Sequence, residues 1–293
     1  MRSGFVSFVG RPNVGKSTLL NSIIGTKIAI TSNKPQTTRN VIQGIYNEKD
    51  TQIIFVDTPG VHKPTHKLGK YLNEQVYYSI NDVDVIAMLV DGTKDFGGGD
   101  QFIIDKLKEV NKPVILVINK IDQLTHNQIL LKINEYKDIY PFVEIIPLSA
   151  LKNNNIKDFI QTLKKYLKDD IPYYEEHQIT NKPITFTIAE IVREKVFELT
   201  KEEVPHSLTC VVESMKKNKN LYHIHVAIIV DRDSLKKIII GSKGNKIKEI
   251  GVRARKELEN LLQTKVYLEL YVKTIKKWRD KEKYLQEFGF HDF

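Results

Sequence analysis

Four short clusters in the first half of the chain have the residue types and spacing to hold a phosphorylated, base-bearing ligand. The first is Gly10-Arg11-Pro12-Asn13-Val14-Gly15-Lys16-Ser17, with Thr18 following it. It has the spacing G-x-x-x-x-G-K-[ST] after an apolar run and before a helical pattern, the context that makes it a phosphate cradle. Its glycines let backbone N–H groups turn onto phosphate oxygens, and the following helix adds the positive end of its dipole. Lys16 suits the outer phosphates, and the Ser17 hydroxyl suits Mg²⁺. The second cluster, Asp57-Thr58-Pro59-Gly60, ends the apolar run Ile53–Val56. Its acid can hold the metal through water, and the Gly60 N–H can sense a terminal phosphate.

The third cluster is Asn119-Lys120-Ile121-Asp122, after Val114–Ile118. A carboxylate here can accept from the N1–H and the exocyclic amine of guanine together. Adenine lacks that donor pair and would leave the carboxylate buried and unpaired. Lys120 can lay its aliphatic stem over the base. The fourth cluster, Ser149-Ala150-Leu151, offers the Ala150 N–H to the guanine O6. Between the first helix and the second strand of the pattern lies Lys34-Pro35-Gln36-Thr37-Thr38-Arg39-Asn40. A threonine hydroxyl there can complete a Mg²⁺ shell, and Thr38 is preferred over Thr37.

These clusters need rigid strand ends beneath them. Runs at Phe5–Val9, Gln52–Val56, Val85–Val90, Val114–Ile118 and Glu144–Pro147 read as strands buried on both faces. Helical patterns near 16–24, 68–80, 100–110, 127–138 and 155–167 alternate with them. The alternation predicts an α/β domain with a mostly parallel sheet and helices on both faces. Ligands bind such sheets at the carboxyl ends of the strands, where all four clusters fall. Motif order and placement resemble the translation-factor class of P-loop GTPases. The resemblance implies GTP and GDP as ligands, Mg²⁺ held by Ser17, Thr38 and Asp57, and Lys16, Thr38 and Gly60 as the residues nearest the chemistry.

Two departures bear on turnover. Val61 follows Gly60, where Ras-like enzymes carry a water-orienting glutamine, so hydrolysis is expected to be slow without another device. Asn13 lies inside the cradle, where similar GTPases use an asparagine to help hold K⁺ against the phosphates. Arg39 acting as an arginine finger is the alternative.

The domain boundary is read from composition. Residues 1–172 form the GTPase domain, the polar run 173–182 a linker, and 183–293 a second domain. That second part reads as a helix (about 184–200), strands around Leu208–Met215 and Tyr222–Asp231 joined by Lys216–Asn220, a short helix, a helix over 245–262 and a strand over Lys265–Val272. Inside it, Ile238-Ile239-Ile240-Gly241-Ser242-Lys243-Gly244 leads into Asn245-Lys246-Ile247-Lys248. G-x-x-G before an amphipathic helix is the backbone clamp of KH domains, which holds single-stranded phosphates. The element order matches the type II, α+β KH topology. Ile240, Gly241, Ser242, Lys243, Gly244, Lys246 and Lys248 are the expected RNA contacts, with Ile238, Ile239 and Ile240 as an apolar floor. Val252-Arg253-Ala254-Arg255-Lys256 is either further contact or a solvated basic face. Trp278, in the basic tail Lys273–Lys281, either stacks on a base, touches an anionic membrane, or packs onto its own domain. His223 and His225 share a strand face without further ligands, and Gly97-Gly98-Gly99 reads as a loop. His62 and His66 read as exposed loop residues.

Asn13, the Gln36-Thr37-Thr38-Arg39 switch and a KH domain behind a short linker together resemble the Era family of bacterial ribosome-assembly GTPases. That resemblance implies a monomer binding near the 3′ end of small-subunit ribosomal RNA, a role in maturing the small ribosomal subunit, and weak peripheral contact with the inner membrane face.

Composition agrees with this frame. The 293 residues are 41% hydrophobic and 28% charged, which supports a packed core and excludes a disordered chain. No run suits a membrane helix, and Met1–Gly10 runs straight into the first motif rather than reading as a secretory signal. One cysteine, Cys210, excludes a disulfide framework and points to a reducing cytoplasm. Of the net charge of +9, residues 180–293 carry seven. That imbalance suits a polyanion, either nucleic acid or an acidic membrane. The rival class is a nucleotide-regulated membrane or protein adaptor using the basic tail.

Overall fold

A computed structural model describes residues 1–32, 37–60, 67–200 and 207–290. It divides into two units. One comprises Met1–Ala29, Thr38–Lys63 and Gly69–Asn181; the other comprises Ile30–Thr37, Pro64–Leu68 and Lys182–Phe293.

The first unit is built on a six-stranded sheet: β1 (Arg2–Val9), β2 (Ile42–Glu48), β3 (Thr51–Asp57), β4 (Val85–Asp91), β5 (Val114–Asn119) and β6 (Glu144–Pro147), in the order β2-β3-β1-β4-β5-β6. All neighbours are parallel except β2 and β3. Every residue of β3 and β5 is buried, as β-branched runs covered on both faces require. The helices are α1 (Lys16–Ile24), α2 (Lys67–Asn81), α3 (Gly98–Leu107), α4 (His126–Lys137) and α5 (Ile156–Leu163). On one face Val76 and Ile80 of α2, Ile103, Ile104 and Leu107 of α3 and Tyr136 of α4 pack on Val9, Met88, Leu116 and Ile118. On the other, the rings of Phe8, Phe55 and Phe159 meet at 5.3–6.5 Å. Each such buried side chain contributes about 1.5–3 kcal/mol.

Two features depart from the sequence reading. β2 was not among the expected strands, and the polar run expected to be a linker is bound along it. The Ile45 N–H donates to the Ile179 carbonyl (2.9 Å), and the Asn181 N–H donates to the Gln43 carbonyl (3.3 Å). Gln52 holds the same segment: its Oε1 accepts from the Tyr173 and Tyr174 N–H groups (2.7 and 2.9 Å), and its Nε2 donates to the Tyr174 carbonyl (2.9 Å). An edge strand presents unpaired backbone groups, and this segment satisfies them. The first unit therefore runs to Asn181.

The second unit contains α6 (Ile184–Leu199), β7 (Leu208–Asn218), β8 (Leu221–Val230), α7 (Asp233–Ile240), α8 (Asn245–Leu262), β9 (Lys265–Thr274) and α9 (Glu282–Glu287). β7 and β8 are antiparallel, β8 and β9 parallel, in the order β7-β8-β9. The hairpin loop is tighter than expected, with Lys219 in the left-handed region at φ +51°. Ile188, Val192, Val196, Ile224, Val226, Ile228, Ile250, Ala254 and Leu258 form the core between helices and sheet. Residues 30–37 group with this unit: the Thr31 N–H donates to Glu194 (3.0 Å), and the Thr37 carbonyl accepts from buried Arg193.

Trp278 is fully buried. It donates to the Ser207 carbonyl (3.3 Å) and stacks on Phe290, which settles its fate as packing. Ile239 is also fully buried, so it is not the apolar floor expected for bases. Leu235 and Ile239, at i and i+4, share the inward face of α7, whereas Ile238 is exposed.

Candidate functional site

The cradle follows β1 and caps α1. Asn13 and Gly15 take positive φ (+65° and +101°). A Cβ on Gly15 would sit 2.2 Å from Asn119 Nδ2, so the loop and the third cluster touch only because the side chain is missing. Lys16 is buried, and its Nζ donates to the carbonyls of Gly10 (3.2 Å) and Arg11 (3.4 Å). Burial pushes its ammonium below the ordinary lysine value, with Asp57 opposing the shift. Arg11 pairs with Asp100 (3.0 Å), whose carboxylate also accepts from the Gly97 N–H at the start of α3 (3.1 Å). The glycine run thus forms the seat for Arg11, which packs over Gly99.

Three oxygens converge at the end of β3. Ser17 Oγ donates to Asp57 Oδ2 (2.6 Å) and lies 2.8 Å from Thr38 Oγ1, which is 3.4 Å from the same Asp57 oxygen. Asp57 is fully buried, and its other oxygen, Oδ1, has no hydrogen-bond partner among the described residues. Burial raises the Asp57 pKa, countered by Lys16 and by its hydroxyl partners. Two hydroxyls, a carboxylate and an orphaned carboxylate oxygen are the hard donor set that Mg²⁺ prefers. The residues present therefore fit the ion. Thr58 anchors this turn by donating to the Phe8 carbonyl (2.8 Å). Pro59 links it to Gly60, which approaches Pro12. Arg39 is buried, at odds with a solvated switch arginine, and Asn40 is buried beside it. Gln36, Val61, His62 and His66 lie outside the described residues.

The base site is assembled from β5 and β6. Asn119 is buried and joins three clusters: its Nδ2 donates to the Val14 carbonyl (2.8 Å), and its Oδ1 accepts from the N–H groups of Lys120 (2.8 Å) and Ala150 (3.0 Å). The Ala150 N–H, expected at the guanine O6, is thus engaged with Asn119, and a base would have to share it. Ser149 donates to Asp122 Oδ1 (2.5 Å), which aims the carboxylate. Ile121 opens a short 3₁₀ turn that carries Asp122, and Leu151 is exposed.

In the second unit α7 ends at Ile240, capped by Gly241, and α8 starts at Asn245. Gly241, Lys243 and Gly244 all take positive φ (+72°, +51°, +76°). A Cβ on Gly241 would press to 2.7 Å of the Lys246 Cβ, so this turn demands glycine. Ser242, Lys243 and Lys248 are exposed, and Lys246 is half-buried. Ile240 packs partly against the core. The sequence reading put a glycine turn between two helices here, as observed, but missed Ile239's inward aim, which the helical period of α7 would have shown.

The chain shares 44% identity with Era from Aquifex aeolicus, a point variant bound to GDP and AlF4⁻; the match covers 99% of both chains with a TM-score of 0.95. The chain belongs to the Era family. A second Era structure, in complex with MgGDPNP and nucleotides 1506–1542 of 16S ribosomal RNA, matches with the same identity, coverage and TM-score. Family models agree in both halves: a 50S ribosome-binding GTPase over residues 5–120 and a KH domain over 203–279. As an Era-family member it is a GTP-hydrolysing enzyme with a P-loop GTPase domain and a C-terminal KH domain. Among the described residues no helix is long and apolar enough to cross a membrane.

Proposed function

We propose that this chain is a guanine-nucleotide switch that binds single-stranded RNA near the 3′ end of small-subunit ribosomal RNA and assists assembly of that subunit. The observation that carries the reading is the convergence of Ser17, Thr38 and Asp57, since it ties a switch residue to the phosphate cradle and to the acid at the end of β3. Lys16 would meet the β- and γ-phosphates, and Asp122, aimed by Ser149, would read the guanine edge. Mg²⁺, when bound by Ser17, Thr38 and Asp57, would neutralise charge on the outer phosphates. The γ-phosphate then favours the state in which Thr38 and Gly60 are ordered around it. In the other half, the Gly241–Gly244 clamp with Lys243, Lys246 and Lys248 suits phosphates of a single strand. The 16S RNA bound by a 44% identical relative supports the RNA class.

The test is binding of short RNAs that carry the sequence of that 3′ end, with GDP or a non-hydrolysable GTP analogue, over a salt series. Sequence-preferring binding that strengthens with the GTP analogue is expected. Equal affinity in both nucleotide states would refute the switch. Sequence-blind binding that fades steeply with salt would refute specific RNA recognition.

Asn13, an exposed residue of the cradle loop, suits K⁺ as a second ion: an amide oxygen is a hard donor, and φ +65° is a conformation asparagine tolerates. K⁺ would supply positive charge beside the phosphates, as an arginine finger does elsewhere. Faster GTP hydrolysis in KCl than in NaCl is expected, and equal rates would remove the idea. The reading places the protein in the cytoplasm as a monomer, with any contact at the inner membrane face weak and carried by lysines. Burial of Trp278 removes the one aromatic anchor that favoured a membrane adaptor.

A further inference from the structure

Lys120 sits in the left-handed region at φ +67°, and its ammonium is held from a neighbouring strand. Its Nζ donates to Asp91 Oδ2 at 2.6 Å. Asp91 ends β4 and is the register partner of Asn119, so the two strand ends lie side by side. The pair is partly shielded, with side-chain exposures of 29% for Lys120 and 12% for Asp91. The other carboxylate oxygen of Asp91 is also fixed: Oδ1 accepts from the N–H (3.0 Å) and the hydroxyl (2.7 Å) of Thr93. Between them, the Gly92 N–H donates to the Asn119 carbonyl (2.9 Å). A Cβ on Gly92 would approach that carbonyl to 3.0 Å and Leu124 to 2.8 Å. Asp91-Gly92-Thr93 therefore brackets the base-reading loop.

We infer that Asp91 is a positioning residue of the guanine site: it clamps the Lys120 ammonium so that the lysine stem is pre-set as the face on which the base lies. The inference rests on the guanine-nucleotide reading above. Its physics is preorganisation. A lysine stem loses rotamer freedom when it covers a ligand, and a side chain already anchored has less left to lose. A charge-assisted hydrogen bond in a shielded site is strong enough to do this. The Asp91 carboxyl is held below the usual carboxylate range, with burial opposed by the bonds from Lys120 and Thr93, so the clamp is charged at neutral pH.

The test is a double-mutant cycle on the full chain with fluorescent GDP as the probe: wild type, Asp91→Asn, Lys120→Met and both. Asn keeps an acceptor for Thr93 and removes the charge that holds Lys120. GDP affinity is expected to fall roughly tenfold in Asp91→Asn, the scale of one charge-assisted hydrogen bond. In the Lys120→Met background the same change is expected to cost less than twofold, because there is no ammonium to position. The KM for GTP should rise with the loss of affinity while kcat moves by less than twofold. Equal losses in both backgrounds would mean that Asp91 acts on the fold alone and would overturn the inference. Unchanged GDP affinity in Asp91→Asn would overturn it as well. Absence of GDP binding in wild type would instead refute the guanine-nucleotide reading, which keeps the two failures apart. Thermal unfolding checks the variants: a drop in Asp91→Asn matched in the double mutant would again favour the purely structural role.

Discussion

Asn119→Ala is expected to destabilise the GTPase unit before any nucleotide is added. In the usual reading of a guanine site the asparagine belongs to the ligand. Here its side chain makes three internal hydrogen bonds, to the Val14 carbonyl and from the Lys120 and Ala150 N–H groups, at 2.8–3.0 Å. It is 2% exposed, so water cannot easily replace them. At about 1 kcal/mol per bond the loss is about 3 kcal/mol, and partners left unsatisfied push it higher. For a unit of this size, each kcal/mol shifts the midpoint by about 2–4 °C, so the transition should drop by about 6–12 °C. The assay is calorimetry of the nucleotide-free full chain. The relevant transition is the one that GDP raises, since a ligand stabilises the unit it binds. A shift under about 2 °C together with lost GDP affinity would refute the reasoning, because Asn119 would then be a ligand contact and not a strut.

Three further outcomes follow from local geometry. Ser242→Asp with Lys243→Glu places negative charge in the clamp and should weaken RNA binding at least tenfold by filter binding, with a flatter salt slope. Gln52→Ala removes the capture of Tyr173 and Tyr174 and should speed amide exchange in residues 173–181; unchanged exchange would mean that the β2 edge alone suffices. Tyr271 has its pKa pushed up to about 12 by burial and by its hydrogen bond to Glu213. Its raised folded-state pKa contributes stability below pH 10 that is lost as pH rises towards 12, so Tyr271→Phe should be less sensitive in that window by urea titration.

What was legible in the sequence was the contiguous chemistry. The cradle, Asp57-Thr58-Pro59-Gly60, Asn119–Asp122 and Gly241–Gly244 are each contiguous runs of a few residues, and parallel strands announce themselves as unbroken apolar runs. What stayed hidden joins distant residues. Arg11 meets Asp100 and Lys120 meets Asp91, and neither pair has a local signature. The capture of residues 173–181 depends on backbone groups and on the side chains of Gln43, Asn47 and Gln52, all more than a hundred positions away. Trp278 was left open because only the tertiary fold could supply Phe290 as a partner. β2 escaped notice because Gln43, Gly44 and Asn47 break its apolar run.

That missed strand explains how Thr38 reaches the oxygens of Ser17 and Asp57. β1, β3, β4, β5 and β6 are parallel, so their carboxyl ends share one edge and present the cradle, Asp57, Asp91, Asn119 and Ser149 side by side. A parallel strand in place of β2 would begin at the opposite edge and carry its preceding loop away from them. β2 runs the other way, and its first residue, Ile42, pairs with Asp57, the last residue of β3. Thr38, four residues earlier in the chain, is therefore delivered to the edge where Ser17 and Asp57 already meet. The antiparallel pairing of β2 is what brings Thr38, between α1 and β2, to that edge.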